Sequence, residues 1–315
     1  MEQIFSLLNV YLPIADVTVN LLAIVMVGIV TGLLAGMFGL GGGLIIVPVL
    51  TFLGIDYSIA SASSTNQMTA SSLSGYLAYA RRKRVDYKLG LIMLLGGLIG
   101  STMGIRLFHY LTDVGMLDFV VALCFAAVLG SIGLCTFVDA IIIMYCKLKH
   151  LDKPKIKRFN WAKKLKMPLR LTFSSCHEDV SIISLVFVGF IGGIFVSIMG
   201  IGGSLIMIPM MVYILSVSDA FTAGTTHFQI IFTSILSTLL HSYSCHHLDI
   251  VLSSILMVCT ALGAQIGVRL TSEFHPDNFR ILLALLVLML CAKVLFGVMA
   301  TPTDIFTLEM LSGAK

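Results

Sequence analysis

Two short stretches carry the residue types best suited to holding a small charged solute. They are Gly39-Leu40-Gly41-Gly42-Gly43, followed by Pro48, and Gly200-Ile201-Gly202-Gly203-Ser204, followed by Pro209. A helix that begins after such a glycine cluster aims unpaired N–H groups at whatever lies before it, and its positive dipole end favours an anion. Gly41, Gly42 and Gly43 in the first copy, and Gly202, Gly203 and Ser204 in the second, supply those donors without a blocking side chain. The competing reading is close packing, because small residues also let membrane helices approach each other. The clusters do not fit a dinucleotide fingerprint, and no Gly-x4-Gly-Lys-Ser/Thr loop is present, so nothing points to a nucleotide-driven pump.

Polar clusters follow each glycine block. Ser61, Ser63, Ser64, Thr65, Asn66 and Gln67 open one apolar segment; Thr222, Thr225, Thr226, His227 and Gln229 open another. Hydroxyls and amides at helix starts can donate to the oxygens of an oxyanion, and they can equally cap or cross-link helices. His227 can hold a proton, donate to an anion, or pack as a neutral hydrogen-bonded ring. Arg106 and Arg269 offer the planar fork that suits an oxyanion, or else snorkel to headgroups from near their helix ends. Lys293, inside the apolar run 282–300, is a candidate counter-charge for substrate. Asp86 and Asp249 are placed to cap the helices after them.

The elements that must position these residues are membrane helices. Hydrophobic residues make up 58% of the 315 positions and charged ones 11%, against about 25% charged in a soluble domain. Apolar segments fall at 17–38, 44–55, 59–80, 87–107, 118–146, 180–199, 205–217, 220–243, 250–270 and 279–300. The second and seventh are too short to cross about 30 Å of hydrocarbon as ordinary helices and read as half-spans. No basic residue precedes Arg81, so the first helix is expected to be retained rather than cleaved as a signal peptide. The seven cysteines are scattered without a CxxC pair, which argues against a disulfide framework or metal cluster. His241, Cys245, His246 and His247 are the one grouping with metal-like spacing, read as an outer-surface cluster without catalytic meaning. No metal and no cofactor is expected.

The chain repeats itself. Gly28, Gly32, Gly39, Gly41, Gly42 and Pro48 correspond at constant spacing to Gly189, Gly193, Gly200, Gly202, Gly203 and Pro209. Ser63, Ser64 and Gln67 then match Thr225, Thr226 and Gln229, and Asp86, Gly100, Gly104 and Arg106 match Asp249, Gly263, Gly267 and Arg269. This divides the chain into a membrane repeat 1–146, a basic connector 147–179 and a second repeat 180–315. Ten of the twenty Lys and Arg lie between Lys147 and Arg170 and five between Arg81 and Lys88. Counting each segment as one crossing puts both clusters on the cytoplasmic side. The counterpart of Arg81–Lys88, Cys245 to Asp249, has no Lys or Arg and falls outside, which is the bias that inverted repeats produce. The basic clusters read as lipid-facing loops rather than a nucleic-acid surface, and the repeats fix no oligomeric state.

Gly39-Leu40-Gly41-Gly42-Gly43 with Ile46-Val47-Pro48, the cluster 61–67, Arg84-Val85-Asp86-Tyr87 and Gly100 to Arg106, with their second copies, resemble the TauE/SafE-type sulfite and sulfonate exporter family. The resemblance implies an all-α, multi-pass carrier in a bacterial-type inner (plasma) membrane, with small sulfur-containing anions such as sulfite, thiosulfate or organosulfonates as substrate. Export is the expected direction. The sequence departs from the pattern at Ser204, at His227 and in the length of the central loop. A channel built from the same broken helices is the alternative. An intramembrane hydrolase ranks last, since neither Gly-x-Ser-x-Gly nor His-Glu-x-x-His occurs.

Overall fold

The computed structural model describes residues 9–38, 42–117, 119–124, 126–128, 130–131, 133–134, 170–171, 180–200, 202–213, 215, 217–245, 248–270, 288–289 and 291–292. Among the described residues, helices with defined bounds fall into two series of four: α1 (Leu21–Phe38), α2 (Gly43–Phe52), α3 (Tyr57–Arg81) and α4 (Tyr87–Asp113), then α5 (Ile182–Met199), α6 (Ser204–Tyr213), α7 (Asp219–Cys245) and α8 (Ile250–Leu270); a further apolar helical stretch, Phe119–Val128, follows α4. Each helix of the second series starts where the sequence repeat places the start of its mate. Among the described residues, α4, α5 and α8 are long and apolar enough to cross a membrane by length and composition.

Short hairpins precede each series. Strands β1 (Asn9–Leu12) and β2 (Val17–Asn20) pair antiparallel, as do β3 (Arg170–Leu171) and β4 (Val180–Ser181). The pairs Asn9–Asn20 and Arg170–Ser181 stand as far apart in sequence as Gly28 and Gly189, so the hairpins belong to the repeat. The periodicity of the sequence did not announce them, and β3 lies inside the stretch read as connector.

Local chemistry sets the helix ends. Asp86 accepts from the N–H groups of Lys88 and Leu89 at 3.1 and 3.2 Å and so caps α4. Asp249 caps α8 through Val251 and Leu252, both at 3.0 Å, and its second oxygen accepts the N–H of Ile14 at the tip of the first hairpin. Gly42 (φ 84°) starts α2, and Gly200 (φ 61°) ends α5. Both angles are left-handed, where a side chain is strained. At ten residues each, α2 and α6 are about 15 Å long, and each carries its proline as the sixth residue.

The polarity of α3 and α7 is inside out for a protein in water. Ser61, Ser63, Ser64, Thr65, Gln67, Ser71, Ser72 and Ser74 of α3 are buried while Leu73 and Leu77 are exposed. On α7, Thr222, Thr225, Thr226, His227, Gln229, Thr233, Ser234, Ser237 and His241 are buried while Phe232, Ile235 and Leu239 are exposed. Exposed apolar stripes around a polar interior suit hydrocarbon as the solvent.

Glycines lock the two series together. A Cβ on Gly32 or Gly36 of α1 would meet the backbone of Thr260 or Ala264 of α8, and one on Gly263 or Gly267 would meet Ile29 or Leu33. In the same way Gly96 and Gly100 of α4 face Val186 and Phe190, and Gly189 and Gly193 of α5 face Met93 and Gly97. The first helix of each series therefore packs backbone to backbone on the last helix of the other.

Contact order gives the running directions. Partners ascend together along α1 and α8 (Gly28 with Cys259, Gly36 with Ala264) and along α4 and α5 (Met93 with Gly189, Gly97 with Gly193). They also ascend together along α3 and α8 (Ser74 with Ala261, Arg82 with Val268) and along α5 and α7 (Gly189 with Gln229, Ser197 with His241). Along α3 and α7 they run oppositely: Thr69 with Ser234, Gly75 with His227, Tyr79 with Gly224. So α1, α3 and α8 point one way, and α4, α5 and α7 the other. Because α1 and α3 run alike, the chain must return between them over the stretch that holds α2, and between α5 and α7 over the stretch that holds α6. Arg81, Arg82, Lys83, Arg84, Lys88 and Arg269 gather at one end of the bundle. The opposite end holds Asp16, Asp56, Asp113 and Asp249, with Arg106 on the flank of α4.

Candidate functional site

Both glycine breaks seat on α3. A Cβ on Gly42 would stand 3.3 Å from Gln67 Nε2 and 3.5 Å from Ser71 Oγ, so the start of α2 lies directly on that stretch of α3. One turn earlier, Ser64 Oγ donates to the Gly200 carbonyl at 2.8 Å, and Ser61 Oγ and Tyr57 OH donate to the Ile198 carbonyl at 3.3 and 3.0 Å. Tyr57, Ser61, Ser64, Gln67 and Ser71 recur at three- and four-residue steps and so share one side of the helix. The two breaks meet this stripe from opposite halves of the sequence, with Gln67 between them.

Gln67 is fully buried, yet neither its Nε2 nor its Oε1 has a hydrogen-bond partner. Ser63 Oγ, Ser72 Oγ, Ser197 Oγ, Ser237 Oγ, Thr238 Oγ1, His227 Nδ1 and Gln229 Oε1 are in the same condition. Leaving such a group unpaired in an apolar interior costs about 1–3 kcal/mol, so a concentration of them marks a place built to meet something else. Gln229, the repeat mate of Gln67, reaches only a long 3.4 Å contact from Nε2 to the Gly189 carbonyl and lies against Gly97. Among the described residues, the buried polar side chains of α3 and α7 are hydroxyls, amides and imidazoles, with no carboxylate, lysine or arginine. A neutral set rich in donors can bind an anion by hydrogen bonds and dipoles.

The remaining sequence candidates divide. Gly43 and Ser204 are the buried first residues of α2 and α6; Gly202 (φ 71°) and Gly203 are buried beside them, and Gly203 packs on the Gly192 backbone. Thr65 and Thr226 bond carbonyls of their own helices, Thr225 Oγ1 accepts the Asp86 N–H at 3.1 Å, and Asn66 is half-buried. His227 fills the notch left by Gly75 and stands edge-on to Tyr79 with ring centroids 5.9 Å apart. Gly41 and Lys293 lie outside the described residues.

Two expectations change. Arg106 and Arg269 do not reach this interior: both are exposed, in line with Leu95, Ile99 and Met103 on α4 and with Val258, Leu262 and Ile266 on α8. Such stripes face lipid, and a long guanidinium stem near a helix end reaches the headgroups from there. His241, read as part of a surface cluster, is instead fully buried. Its Nε2 lies 2.9 Å from the Ser197 carbonyl and its ring stands edge-on to Phe108. Among the described residues no three His, Cys, Asp or Glu side chains gather as a metal site. Sequence reasoning passed over Thr69, Ser71, Ser72, Thr233, Ser234 and Ser237, where α3 crosses α7 and Thr69 Oγ1 lies 2.9 Å from Ser234 Oγ. Their one sequence signal is an excess of hydroxyls deep in an apolar helix.

Comparison with known proteins bears on this arrangement. "Probable membrane transporter protein YunE" of Bacillus subtilis is 24% identical over 87% of this chain and 96% of its own length. "Probable membrane transporter protein MJ0441" of Methanocaldococcus jannaschii is 22% identical over 83% of this chain and 90% of its own. "Sulfite exporter TauE/SafE family protein 3" of Arabidopsis thaliana is 31% identical over a shorter stretch, 36% of this chain and 25% of its own. No solved structure matches. The sulfite exporter TauE/SafE family matches residues 24–294, a span that starts within α1 and takes in both glycine breaks and α2 to α8. The chain belongs to the sulfite exporter TauE/SafE family of membrane transporters, and is a transporter rather than an enzyme.

Proposed function

We propose that this chain is a secondary transporter of small sulfur-containing anions, such as sulfite, thiosulfate or organosulfonates, and exports them across a bacterial-type inner (plasma) membrane. The carrying observation is the fully buried, doubly unpartnered amide of Gln67 beside Gly42, at the N-terminus of α2. Nε2 and the first N–H groups of α2 make a donor set suited to sulfonate or sulfite oxygens. Ser63, Ser64, Thr65, Asn66, His227, Gln229, Thr225, Thr226 and the break formed by Gly202, Gly203 and Ser204 complete the seat, Gly41 and Gly43 belong with Gly42, and Lys293 remains the counter-charge. The opposed directions of α3 and α7 support a pair of inverted repeats, 1–146 and 180–315, joined by a cytoplasmic connector 147–179. Under the positive-inside rule the end bearing Arg81–Lys88 is cytoplasmic.

Flux through reconstituted liposomes, measured with a panel of sulfur oxyanions, carboxylates and metal cations, tests this reading. Saturable flux of sulfite or a sulfonate, lost in Gly42→Val protein that still inserts, is the expected result. Preference for a cation, or unchanged sulfite flux in Gly42→Val, overturns it. Flux that never saturates assigns the chain to the channels.

A further inference from the structure

The seam between α3 and α7 carries unpartnered polar atoms away from the glycine breaks. His227, Ser234, Thr238 and His241 recur on α7 at steps of seven, four and three residues, so they share one side of the helix. That side faces α3: His227 fills the notch at Gly75, and Ser234 Oγ lies 2.9 Å from Thr69 Oγ1. Ser72, three residues from both Thr69 and Gly75, sits between those two contacts. His227 Nδ1, Ser72 Oγ and Thr238 Oγ1 are buried without a hydrogen-bond partner. The two imidazoles stand about 21 Å apart along α7, and the hydroxyls between them come at intervals of about 4.5–6 Å of helix rise. A single water spans such a gap, since each O–H···O link is about 2.8 Å long.

We propose that this seam is a proton path, a water-bridged file of hydroxyls running between His241, at the end away from the basic loops, and His227, near Arg81–Lys88. The Ser197 carbonyl only accepts, so His241 Nε2 carries the hydrogen between them and Nδ1 takes an incoming proton. Each water or hydroxyl of the file accepts one proton and releases another, and the last passes to His227 Nδ1. His227 then releases one at the basic end. Only N–H and O–H bonds are made and broken, and the proton that enters is balanced by the one that leaves. Around His227 the ionisable groups are Tyr79 of α3, edge-on to the ring, with Arg82 and Arg84 beyond it, and Asp86 of α4, whose N–H reaches the adjacent Thr225. Around His241, α5 presents the Ser197 carbonyl and α4 the Phe108 ring, with Arg106 and His109 near it in sequence. Because His227 also belongs to the anion seat, proton entry and anion exit meet at one side chain. That coupling rests on the transport reading above; the path itself does not.

Proton entry into proteoliposomes of the full chain tests the path. The vesicles hold a pH-sensitive dye, are clamped inside-negative with potassium and valinomycin, and are assayed with and without methanesulfonate, which stays ionised throughout the working range. Wild-type entry should exceed that of empty liposomes and fall about tenfold in Ser72→Ala/Thr238→Val. Ser72→Ala alone, expected to give about threefold, keeps the test open if the double variant does not fold. Counterflow of labelled methanesulfonate at equal pH needs no net proton movement and should stay within about twofold in both variants. Wild-type entry no greater than in empty liposomes under either condition, unchanged entry in the variants, or counterflow that falls in step with entry overturns the path. Absent wild-type counterflow with proton entry that is lost in Ser72→Ala defeats the sulfonate substrate and leaves the path standing; counterflow without proton entry does the reverse.

Discussion

Replacing Gln67 by leucine should stabilise the protein and cost it its substrate. The side chain is fully buried and its two polar atoms have no partner, so the resting protein bears their desolvation without return. Leucine is close in size and leaves the packing near Gly42 and Ser71 in place. At about 1–3 kcal/mol per unpaired group, relief of two groups is worth about 2 kcal/mol at the low end. At roughly 2–4 °C per kcal/mol for a chain of this order, the melting temperature should rise by several degrees. In the loaded state the balance reverses. A hydrogen bond to a charged group contributes about 1.5–3 kcal/mol, so loss of the Nε2 donor should raise KM for sulfite by about 10- to 100-fold. Thermal unfolding in detergent and zero-trans flux in liposomes, on the same preparation, read the two effects together. A Gln67→Leu protein that melts lower and transports with unchanged KM would refute the reasoning on both counts.

Other perturbations follow from the same contacts. Arg106→Gln, on the lipid-facing stripe of α4, should leave KM for sulfite within about twofold, and a larger rise in the flux assay would return that side chain to the pathway. Gly100→Leu or Gly263→Leu should abolish the folded monodisperse peak in size exclusion, because each Cβ meets the backbone of the opposing helix, whereas Gly115→Ala (φ 72°, open space) should cost only about 1 kcal/mol of conformational strain. Asp249→Ala should destabilise more than Asp86→Ala in a thermal shift, since it removes both a helix cap worth about 1 kcal/mol and the acceptor of the Ile14 N–H in the first hairpin. With the native cysteines replaced, Lys83→Cys should react with an impermeant thiol reagent only from the cytoplasmic side and Asp56→Cys only from the other; the opposite pattern reverses the orientation.

The helices were largely legible because glycine, proline and aspartate punctuate this chain. Asp86 and Asp249 marked helix starts that the structure reproduces, and the apolar run 250–270 is α8 to the residue. The hairpins were not legible: a four-residue strand such as Val17–Asn20 runs into α1 without a change of composition. The site was legible in its backbone and less so in its side chains. Glycine clusters advertise a break, but Ser71 or Ser234 in a helix can bond its own preceding turn and so signals nothing until the facing helix is known. His241 was misread because sequence nearness to Cys245, His246 and His247 suggested a loop, while α7 runs on past it and turns the ring onto Ser197 and Phe108.

The backbone pairing of α1 with α8 bears on how such a chain is made. Its opening helix leaves the ribosome with the glycine face uncovered, and the matching face on α8 is synthesised more than two hundred residues later. A half-molecule is thus a repeat in sequence without being a unit of assembly, since α1 and α4 of the first half pack on α8 and α5 of the second. Two fragments cut in the central basic stretch should fail apart and reconstitute when co-expressed, and premature truncation should leave sticky, protease-sensitive intermediates in the bilayer.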